Sequence, residues 1–147
     1  MHIHNQDWVV VCDGRKALIL ENTGDAELIN LVIRETYDEP APSTAEMGTE
    51  RPCRVHQRVG HGRSAVEQTD WHAEAEEAFL RKLAERLDKA VAGGDVKAIV
   101  LVAAPKALGT LRGVLSAPVE RALRAHLAKD YVNQPVSEIE KHLKASP

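Results

Sequence analysis

The chemistry in this sequence is concentrated in one stretch, Arg51-Pro52-Cys53-Arg54-Val55-His56-Gln57-Arg58-Val59-Gly60-His61-Gly62-Arg63. It holds four arginines, two histidines and no acid, in a chain whose formal net charge is −3. Guanidinium forks match phosphate oxygens, and glycines let a backbone approach a ligand closely. The stretch therefore reads as a phosphate or RNA-backbone contact through Arg51, Arg54, His56, Arg58, His61, Gly62 and Arg63. A solvated stretch whose arginines pair with nearby carboxylates accounts for the same pattern.

Other chemistries find weaker support. Cys53, His56, His61 and His72 match no standard zinc spacing, and the second ligand pair of a structural site is missing, so no metal is expected. No cofactor motif is present: Gly60-His61-Gly62 is too short to cradle a phosphate by itself, and no Walker sequence occurs. Ser43 and Ser64 lack a Gly-x-Ser-x-Gly elbow. Cys53 beside arginines invites a lowered thiol pKa, yet a nucleophile needs a placed base. A hydrolase acting on an ester or phosphoester, with His56 or His61 as general base, stays open as an alternative. Lys106, Arg112 and the Lys129-Asp130 pair flank strand ends, where open α/β sheets bind ligands. The solvent face of a helix explains Lys106 and Arg112 as simply.

The elements that must position these residues follow from periodicity. Trp8 to Cys12 is a β-branched run, Asp13-Gly14 signals a hairpin, and Arg15 to Glu21 returns. Asn22-Thr23-Gly24-Asp25 turns the chain into a third strand over 26–36. Residues 37–70 lose all period, which predicts a long loop, and such loops are usually functional or mobile. Asp70 is expected to cap a helix to about Ala92, with Ala75, Phe79, Leu83 and Leu87 on its apolar face and Gly93-Gly94 ending it. Residues 98–103 form a continuous apolar run, expected of a strand covered on both faces. Pro105 suits the first turn of a helix carrying Leu108, Leu111 and Leu115. Residues 119–127 fit either period, with a strand preferred over the second half, and Pro135 opens a last helix through Leu143. The expected order is β-β-β-α-β-α-β-α, an α/β fold with a mixed sheet in a single domain over 1–147.

Bulk properties narrow the class. Apolar residues at 44% and charged residues at 28% indicate a globular chain with mixed charges, so any polyanion contact must be local. Five aromatic residues are too few and scattered for a base-stacking platform. Cys12 ends an apolar run and reads as a small buried hydrophobe. The opening residues show no basic region followed by an apolar one, and no apolar run approaches the roughly 18 residues of a membrane span. A cytoplasmic location and no membrane partner are the resulting expectations, with the oligomeric state open.

Three stretches resemble the bacterial host attachment family. They are Trp8-Val9-Val10-Val11-Cys12-Asp13-Gly14-Arg15-Lys16-Ala17, then Ala104-Pro105-Lys106-Ala107-Leu108-Gly109-Thr110-Leu111-Arg112, and Lys129-Asp130-Tyr131 with the closing helix. Pro-Lys-x-Leu-Gly-x-Leu-Arg is the most specific. That family is in turn similar to the RNase H-like middle domain of the archaeo-eukaryotic release factors and Pelota. The resemblance implies an RNase H-like sheet and a ribosome or tRNA partner. It also sets Gly60-His61-Gly62-Arg63-Ser64-Ala65 against the release-factor Gly-Gly-Gln loop. No Gly-Gly-Gln is present, so the hydrolytic role does not carry over and a non-catalytic binding module is expected. A protein-interaction factor in host attachment is the third reading. RNase H-like nucleases hold Mg²⁺ on strand acids, but Asp13, Glu35 and Asp38 do not form a convincing cluster.

Overall fold

A computed structural model describes residues 2–39 and 61–146, with side chains from residue 72 onward in the second stretch. The elements are β1 (Trp8–Cys12), β2 (Lys16–Asn22), β3 (Leu31–Asp38), α1 (His61–Ala92), β4 (Ile99–Ala103), α2 (Pro105–Val114), α3 (Ala117–Ala122), β5 (Leu123–Ala128) and α4 (Val136–Ala145). They form a five-stranded sheet in the order β3-β2-β1-β4-β5. Strand β2 is antiparallel to both β1 and β3, whereas β1, β4 and β5 run parallel. The mixed α/β architecture expected from the sequence is the one observed, with α3 as an added short helix.

The two central strands explain the apolar runs. All five residues of β1 and all five of β4 are buried, because helices cover both faces. Trp8, Val10, Cys12, Ala17, Ile19, Ile99, Leu101 and Ala103 face α1, α2 and α3. Val9, Val11, Leu18, Leu20, Val100 and Val102 face α4, through Ile139 and Leu143. On α1 the buried stripe is Phe79, Leu80, Leu83, Ala84, Leu87 and Ala90. Ala75, expected on that stripe, is exposed, as is Ala78. The helix ends as expected: Gly94 is left-handed at φ 76°, and Gly93, Gly94 and Asp95 donate their N–H groups back to Lys89, Val91 and Ala90.

Three boundaries depart from expectation. The hairpin turn centres on Gly14-Arg15 rather than Asp13-Gly14. Asp13 N–H pairs with the Lys16 carbonyl, and Asp13 Oδ1 accepts from Arg15 and Lys16 N–H at 2.8 Å each. Strand β3 begins at Leu31, five residues later than expected, because side chains capture the backbone before it. Asp25 Oδ1 takes the N–H groups of Glu27 and Leu28, and Asn22 Oδ1 those of Gly24 and Asn30. The third correction concerns the long loop. Helix α1 starts at His61, so Asp70 lies inside it rather than capping it, and 61–70 is not loop. Residues 63–70 contain no Gly or Pro to stop a helix, but they carry no apolar stripe, and the stripe was the signal sought. Along the wet side of α1, Glu77 and Arg81 pair at 2.8 Å across one turn. Glu85–Lys89 is not paired among the described residues. No described helix is long and apolar enough to cross a membrane.

Candidate functional site

The parallel strands β1, β4 and β5 end at one rim of the sheet. Register aligns Cys12 with Ala103 and Ala103 with Ala128, while Cys12 faces Ala17 and Lys16 faces Asp38. Residues just beyond this row are therefore neighbours: Asp13, Arg15, Glu39, Ala104 and Lys129. Two backbone bonds tie them, from Glu39 N–H to the Arg15 carbonyl at 2.7 Å and from Ala104 N–H to the Cys12 carbonyl at 3.2 Å. Helix α1 reaches the same rim, where Glu76 lies over Gly14, within 2.6 Å of where a Cβ would stand. Ligands of open α/β sheets collect outside the carboxyl ends of parallel strands.

The residues singled out by sequence fall in three places. Arg51, Arg54, His56 and Arg58 lie outside the described residues. His61, Gly62 and Arg63 occupy the first turn of α1, which holds no acid. Lys106 and Arg112 lie on α2, which leaves the rim directly after β4; both are exposed. A spacing of six residues sets them about 120° apart around the helix and about 9 Å apart along it, so they do not share a face. Neither makes an ion pair among the described residues.

The acids considered for metal binding are committed elsewhere. The Asp13 carboxylate holds the hairpin turn. Glu35 is taken by Arg86, and Asp38 lies across from Lys16 at the strand end. Among the described residues, no three His, Cys, Asp or Glu side chains come together as a metal site. Cys12 is wholly buried, and burial followed by the nearby Asp13 charge pushes its thiol up to about 12. It packs as a hydrophobe and offers no thiolate at neutral pH.

One cluster was not anticipated. A bulge in β3, opposite the Ile19/Leu20 step, sends Arg34 and Glu35 to the same face, towards α1. Arg34 pairs with Glu21 at 2.5 Å, and Arg86 from α1 grips both oxygens of Glu35, at 2.9 Å and 2.5 Å. Both guanidinium carbons lie over the buried Trp8 ring, at 5.1 Å and 5.6 Å. The Tyr37 hydroxyl donates to Glu35. The Arg86 hydrogen bond holds the Glu35 carboxyl below its ordinary range, against the opposing effect of burial. Burial and then Glu35 push the Tyr37 phenol up, and Glu35 raises Arg86. Glu39–Lys82, at 3.3 Å and exposed, adds a weaker tie. These contacts fasten β3 to α1, the two elements that flank residues 40–60 in the chain. Glu35 and Tyr37 share a strand face at i, i+2, and that alternation was the available signal; nothing in the sequence marked Arg86 as their partner.

A family profile described as "Protein required for attachment to host cells" matches residues 8–143. No curated protein shows significant similarity to the chain.

Proposed function

Because the chain belongs to the family of proteins required for attachment to host cells, we propose that it works as a cytosolic binding module for the phosphate backbone of ribosomal or transfer RNA. The contacts assigned to this role are Arg51, Arg54, His56, Arg58, His61, Gly62 and Arg63, with Lys106 and Arg112 as outlying cations. One observation carries the reading. The basic stretch leads directly into the N-terminal turn of a 32-residue helix, and that turn contains no acid. The N–H groups and positive dipole end of a helix favour an anion, and in sequence Arg51, Arg54 and Arg58 precede this turn and Arg63 lies within it. No carboxylate lies between Arg51 and Glu67, although Glu50 immediately precedes the stretch.

The resemblance drawn from the sequence, to the RNase H-like domain of release factors, is what favours an RNA partner over a small molecule. The absence of Gly-Gly-Gln favours binding over peptidyl-tRNA hydrolysis. Co-sedimentation with ribosomes, and fluorescence anisotropy with tRNA, test the proposal at low salt. Binding should be present for the native chain and weakened at least tenfold when Arg51, Arg54, Arg58 and Arg63 are all replaced by Ala, about 1.4 kcal/mol or more. Absence of binding to either RNA at low salt would rule the proposal out. Turnover of an ester that vanishes when His56 and His61 are replaced would favour a hydrolase instead.

A further inference from the structure

The edge strand β3 carries a feature that the RNA-binding reading does not use. The exposed large hydrophobic residues among those described are Leu28, Val32 and Ile33, at 73%, 47% and 46% exposure, all within six residues of chain. Val32 pairs with Glu21 on the α1 face, whereas Ile33 pairs with Leu20 on the α4 face. Apolar side chains left open on both faces of one edge strand are what a further strand would cover, since its residues alternate across both faces. A partner docking on one face would cover only one of them. The opposite edge differs: β5 exposes Arg124, His126 and Ala128, and its leucines are partly buried.

We propose that β3 pairs antiparallel with β3 of a second copy of this chain, giving a twofold dimer with a continuous ten-stranded sheet. The sequence of the strand selects this occupant by charge and by face. With the twofold axis between Arg34 and Glu35, Arg34 stands opposite the partner's Glu35, and the reverse contact repeats it. Val32 then meets the partner's Tyr37, and Ile33 meets the partner's Thr36. The bulge makes this register possible. Arg34 and Glu35 both face α1, as shown by their bonds to Glu21 and Arg86, so every opposed pair lies on matching faces. Without the bulge the pairs would fall on opposite faces. Glu140 from α4 already caps the N–H of Leu31 at 2.7 Å, which leaves the edge open from Ile33 onward among the described residues. An edge contact of this length is smaller than a standard interface, so a dissociation constant of roughly 1–100 µM is expected.

Sedimentation velocity of the full chain over about 1–300 µM tests the dimer in the affinity range expected. The mass should rise from 16.1 kDa towards twice that value. Ile33→Lys or Val32→Lys should raise the dissociation constant by roughly tenfold or more, equivalent to about 1.4 kcal/mol. Leu28→Lys, in the turn outside the paired residues, should leave it unchanged. Circular dichroism confirms that each variant is folded, and the exposed positions tolerate lysine. Hydrogen exchange at Ile33 N–H should slow as the native chain is concentrated. A chain that stays monomeric throughout, or a dimer indifferent to both lysine variants, would overturn the proposal.

Discussion

Arg86 is the residue whose removal should be felt furthest, because it joins α1 to β3 and lies over Trp8 at once. Glu35 is its counterpart, and its titration makes the contact measurable. The folded-state carboxyl lies below its ordinary value, so its pairing stabilises the fold above the ordinary glutamate range. That contribution is lost as pH falls through the lowered folded-state value. Glu35→Gln should therefore cost about 1–2 kcal/mol at neutral pH, the scale of a partly exposed charged hydrogen bond, and little in strong acid. Urea unfolding of both proteins at pH 7 and near pH 3 measures this; an equal difference at both would refute it. Cys12 gives a second residue-level outcome. With its thiol pushed up to about 12 and fully buried, it should resist alkylation at pH 8 in the native protein and react only after unfolding. Peptide mapping by mass spectrometry after labelling separates Cys12 from Cys53.

Among elements, the turn before β3 depends on one side chain. Asn22 is fully buried; its amide donates to the carbonyls of Ile3, His4 and Asp25, and its Oδ1 accepts from Gly24 and Asn30. Asn22→Ala leaves these backbone groups without that partner, and a loss of roughly 2–3 kcal/mol is expected. Thermal unfolding checks it; a Tm within a degree of the native value would contradict the role. The same turn shows what sequence could and could not reveal. Asn22 to Asp25 is readable as punctuation, but its bonds to Gly24, Leu28 and Asn30 arise from a three-dimensional hub, so nothing in the local sequence delays β3 to Leu31. Strands β1 and β4 were legible because burial on both faces forces apolar runs. The start of α1 was hidden for the opposite reason: residues 61–70 carry no apolar period in the sequence. The Glu35–Arg86 pair was hidden because a bulge, invisible in local pattern, turns Arg34 and Glu35 to one face.

For the molecule as a whole, the proposed function makes the mixed sheet a scaffold that presents a basic segment to a polyanion. Net charge is −3, so the proposed attraction to RNA would have to come from segregation of charge rather than from the overall field. Dimerisation through β3 would double the number of basic segments without altering each one. The salt dependence of tRNA binding tests the central claim most directly. If four arginines each neutralise one phosphate, the plot of log affinity against log salt should have a slope of about −3, near −0.7 per contact on a single strand. Replacing Arg51, Arg54, Arg58 and Arg63 by alanine should flatten that slope towards zero and weaken binding to unrelated RNA sequences alike. A slope unchanged by the four substitutions would contradict the account, since the phosphate contacts would then lie elsewhere on the protein.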